Sequence, residues 1–277
     1  MKKYACVLSI AGSDCSGGAG IQADIKTISA LGAYAASAIT AITVQNTCGV
    51  EAIHPVPPTY VEGQIRAVLT DIKPVSVKIG MVNDVDIIRS IASSLNKFKP
   101  KYVIFDPVMV SSSGRRLMDD DAIGIVIKQL IPETTLITPN LSEAEVLTGH
   151  SVATLEEMRQ AAKELLKYGC KAVLVKGGHL KGGEMTDVLQ LANREEPFLF
   201  SAQQITSKNT HGTGCTLSSA IATYLALGET MEKAVEKAKL YLYNSLDAGK
   251  DIHIGEGHGP LNHFYAPEPM HIFNENE

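Results

Sequence analysis

Short apolar segments alternate along most of the chain with longer segments whose apolar residues recur at helical spacing. Such runs predict strands and helices, respectively. Strands separated by helices of this length are joined by right-handed crossovers. The pattern therefore predicts an α/β fold with a mostly parallel central sheet and helices on both faces. The predicted strands cover residues 38–44, 75–79, 102–105, 136–138 and 172–176, and the predicted helices cover 59–71, 87–95, 155–166 and 231–246.

Polar residues and glycines directly follow several of the predicted strands. Asp106 ends one strand, Asn140 follows the next, and Lys176 and Gly177 stand at the end of a third. In open parallel sheets, ligands bind beyond the carboxyl ends of the strands. These positions therefore predict one ligand site at a single edge of the sheet.

Residues 207–220 read as a glycine-rich turn that leads directly into a helix, with Cys215 in its first turn. The unpaired N–H groups and the dipole of a helix N-terminus favour anions, and Gly212 and Gly214 allow a close approach of the backbone. The turn is therefore a candidate phosphate or oxyanion site, and the same field would favour the Cys215 thiolate. The alternative is a simple helix cap with the cysteine packed in the core.

A second glycine-rich loop, residues 11–20, lies between an apolar strand and a helix with apolar periodicity over 21–31. It lacks the Lys-Ser or Lys-Thr that ends a Walker A loop, and its glycines miss the spacing of a dinucleotide fingerprint. The loop predicts a small polar ligand without identifying it.

Composition favours one compact domain. The chain has 277 residues, of which 45% are hydrophobic, and a formal net charge of −5. This charge offers no basic surface for nucleic acid, the eight histidines show no metal-type spacing, and no apolar run is long enough to span a membrane. We expect a single domain over residues 1–266 and a polar, frayed tail over 267–277.

The cysteines and the amino-terminal segment bear on the cellular compartment. The five cysteines are scattered without a Cys-x-x-Cys pair, which predicts reduced thiols and a cytoplasmic protein. The first residues resemble a secretory leader, but Gly12 and Asp14 cut the apolar stretch short. We therefore interpret this segment as the first strand.

Seven sequence blocks in a fixed order resemble a known family. They are AGSDCSGGAGIQADIKT at 11–27, QNTCGV at 45–50, KIGM at 78–81, DPVMV at 106–110, ITPNLSEAE at 137–145, KGGH at 176–179 and NTHGTGCTLSSAIA at 209–222. The chain resembles the hydroxymethylpyrimidine/phosphomethylpyrimidine kinases, the thiamin-synthesis branch of the ribokinase superfamily. The resemblance implies a ribokinase-like fold and a homodimer. It also implies ATP- and Mg²⁺-dependent phosphorylation of 4-amino-5-hydroxymethyl-2-methylpyrimidine, first to the monophosphate and then to the diphosphate.

The resemblance assigns the metal site to the strand ends. Asp106 and Glu143 are the implied Mg²⁺ ligands, and Asn140, in the superfamily's Asn-x-x-Glu element, is implied to lie at the nucleotide phosphates. A structural alternative exists for this segment. It also reads as a helix start with Ser142 as the cap and Glu145 as its box partner.

The resemblance assigns phosphate contacts to Lys176 and to the turn before the last glycine-rich helix. Lys176, Gly212 and Gly214 are implied to take part in catalysis, and Thr213 with Gly214 to bind phosphate. Whether Lys176 contacts the nucleotide or the phosphorylated substrate stays open. The alternative is a surface lysine at the end of a strand.

The substrate side follows from the other blocks. A pyrimidine with an amino group needs both a donor and an acceptor, and Gln45 supplies both from one side chain. Asp24 is a second candidate for the polar groups of the substrate, and Met81 and Val108 are the implied apolar walls around the ring. For Met81 and Val108, ordinary core packing is the alternative.

Cys215 stands where most ribokinase-like sugar kinases carry an aspartate as the base. A helix N-terminus is expected to lower its pKa, so that the thiolate takes the hydroxymethyl proton in the first phosphorylation. The second phosphorylation needs no base, because its nucleophile is an anionic phosphate oxygen. Cys215 would therefore matter chiefly for the first step.

Three readings of the function stay open. The first is the pyrimidine kinase, and the second is a pyridoxal or pyridoxine kinase of the same branch. The third is a non-catalytic pyrimidine-binding relative, against which the retained Asp106, Glu143 and Lys176 argue. The polar loop 111–116 is predicted either to close over the site or to be a solvated surface loop.

Overall fold

The computed structural model describes residues 2–109, 118–178 and 184–274, so the predicted loop 111–116 lies outside the described residues. The strands are β1 (Lys2–Tyr4), β2 (Cys6–Asp14), β3 (Tyr34–Asn46), β4 (Gly49–Pro55), β5 (Ser76–Ile79), β6 (Tyr102–Phe105), β7 (Leu136–Ile137), β8 (Ala172–Val175), β9 (Glu184–Leu191), β10 (Phe198–Gln203) and β11 (Ile272–Asn274). The helices are α1 (Gly20–Ala30), α2 (Pro58–Asp71), α3 (Val85–Phe98), α4 (Asp120–Ile125), α5 (Leu141–Thr148), α6 (Leu155–Leu166), α7 (Thr213–Ala226) and α8 (Met231–Gly249). A π-helical turn and a 3₁₀ turn extend α4 through Glu133.

The central sheet has the strand order β10-β9-β8-β7-β6-β5-β2-β3-β4. Strands β2, β3 and β5 to β8 run parallel, whereas β4, β9 and β10 pair antiparallel at the two edges. The chain leaves β2 first toward β3 and later returns to pair β5 on the other side of β2. This reversal opens a crevice at the carboxyl ends of the strands, where ligands of such sheets bind. The predicted α/β fold with a mostly parallel sheet is confirmed.

Helices cover both faces of the sheet, as the alternation predicts. Helices α2 to α6 pack on one face, and α1, α7 and α8 pack on the other. Each helix buries an apolar stripe, while the parallel strand β8 is buried along its whole length and its sequence is a short continuous apolar run rather than an alternating one. Fully buried examples from the two layers are Ile65, Ile91 and Val173 on one side and Ile28, Ile221 and Val235 on the other.

The edge strands depart from the prediction. Strand β3 runs beyond residue 44, because Gln45 and Asn46 continue the ladder opposite Val50 and Gly49 and form a hairpin with β4. The Asn46 side chain accepts the N–H of Cys48 at 2.8 Å and so closes the turn. Strand β4 and the β9–β10 pair were not predicted, because polar and charged residues interrupt their apolar pattern.

The expectation that the carboxyl-terminal tail frays is wrong for the described part of it. Strand β11 pairs antiparallel with β1. The backbone N–H groups of Glu268 and His271 also donate at 2.8 Å to the carbonyls of Ala30 and Gly32. The side-chain pattern of the tail does not predict these contacts, because they are hydrogen bonds of the backbone. Across residues 2–109, 118–178 and 184–274, no helix combines the length and the apolar character that a membrane span requires.

Candidate active site

A cavity of about 830 Å³ lies at the carboxyl edge of the parallel strands. Its walls come from the loop after β2, the β3–β4 hairpin, the segments after β6 and β8, and the turn before α7. The predicted site residues on its wall are Gln45, Met81, Asp106, Val108, Asn140, Glu143, Lys176, Gly212, Thr213, Gly214 and Cys215. The topology therefore brings residues from six separate segments of the chain into one cavity.

A buried ion pair occupies the floor of the cavity. The Asp106 carboxylate accepts hydrogen bonds from Lys176 Nζ at 2.8 Å and from Thr138 Oγ1 at 3.0 Å. Burial opposes ionisation of Asp106, but the charges of Lys176 and Lys78 hold its pKa below the ordinary value. In turn, Asp106 and Glu143 raise the pKa of Lys176 against the effect of its burial. The pair is ionised at neutral pH.

Asn140 and Glu143 cap a helix as well as facing the cavity. Asn140 is the N-cap of α5 and accepts the Glu143 N–H at 2.9 Å, while the Glu143 carboxylate accepts the Asn140 N–H at 2.8 Å. The alternative cap at Ser142 with Glu145 as its partner is therefore wrong. Burial raises the pKa of Glu143 to about 7. Its carboxylate lies 4.0 Å from Lys176 Nζ, so that one lysine stands between two carboxylates.

Two glycines bring the start of α7 close to its neighbours, and the first of them, Gly212, is required there. Gly212 is the N-cap of α7 with a left-handed φ of 87°, and a Cβ there would lie 2.0 Å from the Gly18 carbonyl oxygen. A Cβ on Gly214 would lie 3.1 Å from Asp106 Oδ2 and 3.5 Å from Lys176 Nζ. The first turn of α7 therefore lies directly against the ion pair, and the two glycine-rich loops of the sequence pack on each other.

Cys215 lies in the first turn of α7 and is partly exposed to the cavity. Burial raises the pKa of its thiol to about 11, which outweighs the charge of Lys78 and the hydrogen bond from the Gly20 N–H. The nearby carboxylates of Asp24 and Asp106 act in the same direction as burial. The expectation that the helix N-terminus lowers this pKa is therefore wrong for the protein alone, in which Cys215 is a thiol at neutral pH.

Asp24 does not lie on the cavity wall, and the structure contradicts its assignment to the substrate. The side chain is fully buried, with both carboxylate oxygens bound by Lys78 Nζ at 2.8 and 2.9 Å. The hydroxyls of Ser9 and Ser219 donate to the same carboxylate at 2.6 and 2.8 Å. The group is satisfied by protein donors and ties α1 to β2, β5 and α7 beneath the cavity.

Asp14 and His211, which the sequence analysis did not select, join the two glycine-rich loops. The Asp14 carboxylate accepts the backbone N–H groups of Ser16, Gly18 and Ala19 and the His211 Nε2–H, the last at 2.8 Å. These hydrogen bonds, led by that of His211, overcome burial and hold the pKa of Asp14 well below its usual range. The clue in the sequence was that both residues lie inside blocks that carry the family resemblance.

A second pair was missed at the far end of the cavity. Lys239 Nζ lies 2.7 Å from Asp187 Oδ2 and also donates to the Phe200 carbonyl at 2.6 Å. Asp187 Oδ1 accepts the N–H of Gly177, the glycine that follows Lys176, at 2.9 Å. Nothing in the sequence pattern distinguishes Lys239 from the other charged residues of α8, because its partners lie on β9 and β10.

The donor set at the floor fits a hard cation that keeps part of its water. Asp106 and Glu143 offer two carboxylates beside the anion-binding turn, which is the arrangement that Mg²⁺ uses when phosphate oxygens complete its shell. Among residues 2–109, 118–178 and 184–274, no group of three or more His, Cys, Asp or Glu side chains forms a cage for a metal ion.

Comparison with known proteins decides the family. Residues 14–262 match the family model described as phosphomethylpyrimidine kinase. The chain belongs to the phosphomethylpyrimidine kinase family. It is 48% identical to the hydroxymethylpyrimidine/phosphomethylpyrimidine kinase of Rhizobium meliloti over 94% of the chain and 97% of that relative. It is also 46% identical to a thiamine biosynthesis bifunctional protein of Geobacter sulfurreducens, over 95% of the chain but only 53% of that longer relative.

Solved structures extend the comparison. A phosphomethylpyrimidine kinase from Clostridium difficile is 46% identical and superposes with a TM-score of 0.77 over 87% of this chain and 99% of that one. A pyridoxal kinase of Bacillus subtilis, solved as an ADP complex, is 32% identical, with a TM-score of 0.85 over 94% and 98% of the two chains. The fold is thus shared by kinases named for two different substrates, phosphomethylpyrimidine and pyridoxal.

Proposed function

We propose that this protein transfers the terminal phosphoryl group of ATP to the hydroxymethyl group of 4-amino-5-hydroxymethyl-2-methylpyrimidine. We propose that it then phosphorylates the monophosphate to the diphosphate in the same site, as a step of thiamin diphosphate biosynthesis. The observation that carries the proposal is the juxtaposition, in one cavity, of the Asp106–Lys176 pair and the turn of α7 with Gln45. The named activities of the relatives at 46% and 48% identity support it.

Phosphoryl transfer depends on positioning and on neutralising the charge of the transferred group. Lys176 Nζ supplies one positive charge, and the N–H groups of the first turn of α7 supply further donors. Asn140 stands beside them on the wall and would complete the phosphate contacts. Asp106 and Glu143 would hold Mg²⁺, which neutralises phosphate charge when it is bound.

The two phosphorylations differ in their nucleophile. The first requires a hydroxyl to lose its proton, and Cys215 is the candidate acceptor at the turn. Only the thiolate form of Cys215 can accept the hydroxyl proton. Burial keeps the thiol protonated at neutral pH, so this form is scarce in the protein alone. The second step starts from an anionic phosphate oxygen and needs only the positioning groups.

Pyridoxal phosphorylation is the second candidate function, and the shared fold of the Bacillus subtilis pyridoxal kinase favours it. Gln45 argues for the pyrimidine as the principal substrate, since its carboxamide complements a ring nitrogen with a neighbouring amine. Met81 and Val108 on the cavity wall would contact the faces of either ring. A non-catalytic binding role does not account for a buried, ionised Asp106–Lys176 pair.

The remaining proposals concern the state of the protein. We propose one kinase domain over residues 1–266, a homodimer in solution and a cytoplasmic location. The apolar side chains of Ile42 and Val44, exposed on the outer face of the hairpin, support an interface with a second copy. All five cysteines are free, with Cys15 and Cys48 exposed, which suits a reducing compartment.

A coupled kinase assay with the hydroxymethylpyrimidine and pyridoxal side by side tests the proposed function. We expect turnover of the pyrimidine with a kcat/KM well above that of pyridoxal. Higher kcat/KM with pyridoxal would replace the proposal by the second candidate, and turnover of neither would contradict both. Sedimentation velocity on the same preparation tests the homodimer.

A further inference from the structure

The side-chain amide of Gln45 is held between two polar neighbours. Its nitrogen lies 3.2 Å from His211 Nε2, and its oxygen lies 3.2 Å from Thr43 Oγ1. The two ends of a carboxamide have nearly the same shape, so the hydrogen-bonding partners decide which end is oxygen. Here the hydrogen-bonding groups of both neighbours favour the opposite assignment, with the amide oxygen facing His211 and the amide nitrogen facing Thr43.

On the His211 side, the ring nitrogen nearest the amide carries a hydrogen that it donates to Asp14. His211 Nε2 lies 2.8 Å from Asp14 Oδ2, and Asp14 is buried and ionised among backbone N–H donors. A nitrogen facing a carboxylate at this distance carries the hydrogen, because two lone pairs would repel each other. An amide NH₂ beside it would set one N–H donor against another. An amide oxygen in that position is instead a second acceptor for the His211 Nε2–H, in a bifurcated hydrogen bond.

On the Thr43 side, the only hydroxyl hydrogen is already used. Thr43 Oγ1 donates to the Ser13 carbonyl oxygen at 2.9 Å, and a carbonyl oxygen can only accept. The hydroxyl oxygen therefore has only lone pairs to offer to Gln45. An amide oxygen facing it would leave both atoms without a donor, whereas an NH₂ group there satisfies both.

We infer that Thr43 and His211, the latter held by Asp14, are positioning residues that fix the Gln45 amide with its oxygen toward His211 and its nitrogen toward Thr43. The inference rests on the proposed function for the identity of the substrate. With this orientation, Gln45 offers the cavity an acceptor on the His211 side and a donor on the Thr43 side. It therefore selects a ring with an exocyclic amine toward His211 and a bare ring nitrogen toward Thr43.

The substitution pattern of the proposed substrate agrees with this direction. In 4-amino-5-hydroxymethyl-2-methylpyrimidine, the reacting hydroxymethyl group is attached next to the amine and away from the paired ring nitrogen. An amine on the His211 side therefore directs the hydroxymethyl group toward Gly212 and the first turn of α7, which directly follow His211 in the chain. The opposite orientation of the amide would turn the reacting group away from the anion-binding turn.

The 4-oxo analogue of the substrate gives a specific test, because it presents a carbonyl and a ring N–H in place of the amine and the ring nitrogen. A fixed amide meets this reversed pattern with a donor against a donor and an acceptor against an acceptor. We expect the native enzyme to prefer the amino substrate by about 10²–10⁴-fold in kcat/KM. Thr43→Val, which removes the lone pairs, and His211→Gln, whose own amide can turn, should each reduce that preference by about tenfold or more.

Thr223→Val provides the matched control. Thr223 is fully buried and its hydroxyl donates only to the Ser219 carbonyl of its own helix, so the amino-to-oxo ratio should stay at the native value. The KM for ATP should be unchanged in Thr43→Val, because the Thr43 hydroxyl contacts Ser13 and Gln45, neither of which is a proposed phosphate-binding residue. An unchanged amino-to-oxo ratio in both Thr43→Val and His211→Gln would overturn the inference. Absence of any turnover of the amino substrate by the native enzyme would instead contradict the proposed function.

If the variants fold poorly, a measurement on the native protein that does not depend on catalysis still tests the inference. In the native protein labelled with ¹⁵N, the Gln45 NH₂ signal is identified by its loss in Gln45→Glu. We expect stronger nuclear Overhauser contacts from this NH₂ to the Thr43 methyl group than to the His211 ring. Stronger contacts to the His211 ring than to Thr43 would show the opposite orientation and would overturn the inference.

Discussion

At the scale of single residues, burial decides the chemistry more than sequence position does. Cys215 stands at a helix N-terminus, yet its pKa is raised to about 11 because the sulfur is buried near two carboxylates. Asp24 lies one turn into α1, close in sequence to the glycine-rich loop that lines the cavity. Its carboxylate nevertheless forms an ion pair with Lys78 instead of facing the cavity. In both cases the deciding surroundings come from segments distant in the chain, which a local pattern does not show.

The pH dependence of the two steps tests the role of Cys215. If its thiolate is the base, the rate of the first phosphorylation should rise about tenfold per pH unit from neutrality toward pH 11, because the raised pKa keeps the base protonated below that value. The second phosphorylation should lack this rise. Cys215→Ser should remove the pH dependence of the first step and lower its rate by about 10²–10⁴-fold, as measured on the separated steps. Equal losses in both steps would make Cys215 part of the anion-binding turn instead.

Substitution of the two carboxylates tests the magnesium assignment. Asp106→Asn leaves Lys176 without its partner at 2.8 Å and removes one charge from the proposed metal site, and Glu143→Gln removes the other. We expect lower turnover and a higher Mg²⁺ concentration at half-maximal rate for each variant. Titration of Mg²⁺ at saturating ATP measures this. Wild-type Mg²⁺ dependence in both variants would place the metal elsewhere.

At the scale of elements, the turn before α7 joins backbone conformation to the site. Gly212 has a positive φ and packs on the Gly18 carbonyl, whereas Gly228, just beyond the other end of α7, has a φ of 99° with open space around it. The same helix therefore carries two left-handed glycines, of which only one lies against the active site.

Alanine at these two glycines separates backbone strain from site packing. Gly228→Ala should lower the free energy of unfolding by about 1 kcal/mol and leave kcat unchanged. Gly212→Ala adds the contact with the Gly18 carbonyl to the same strain, so it should destabilise more and reduce the rates of both phosphorylations. Thermal unfolding and steady-state kinetics on the two variants measure this. Equal kinetics in the two variants would contradict the packing of the loops.

At the scale of the whole molecule, apolar periodicity was sufficient to predict the parallel strands and most of their helices, but not α4. It also placed Asp106, Asn140 and Lys176 at one edge, because the carboxyl ends of parallel strands meet there. The antiparallel edge strands, the docking of β11 on β1 and the Lys239–Asp187 pair could not be predicted in the same way. They depend on backbone pairing and on partners distant in the chain. The roles of Gln45, Met81 and Val108 rested on family resemblance, since apolar spacing alone is equally consistent with core packing for Met81 and Val108.

Global stability should respond to acid through His263. Burial lowers the pKa of this histidine to about 4, and its ring lies 3.0 Å from Thr216 Oγ1 in the first turns of α7. Below the ordinary pKa of about 6.5 the unfolded chain gains a proton that the folded protein does not, so stability is lost as the pH falls from about 6.5 to about 4. We expect at most about 3 kcal/mol from this group, measured by urea unfolding. His263→Gln should flatten the profile in this window, and an unchanged slope would contradict the assignment.

The central claim is that one cavity performs both phosphorylations, and inhibition of the first step by the monophosphate tests it most directly. Two substrates of one site compete, so the monophosphate should inhibit the first step competitively against the hydroxymethylpyrimidine. Its inhibition constant should equal its KM as the substrate of the second step. Noncompetitive inhibition, or an inhibition constant tenfold or more away from that KM, would contradict a single shared site.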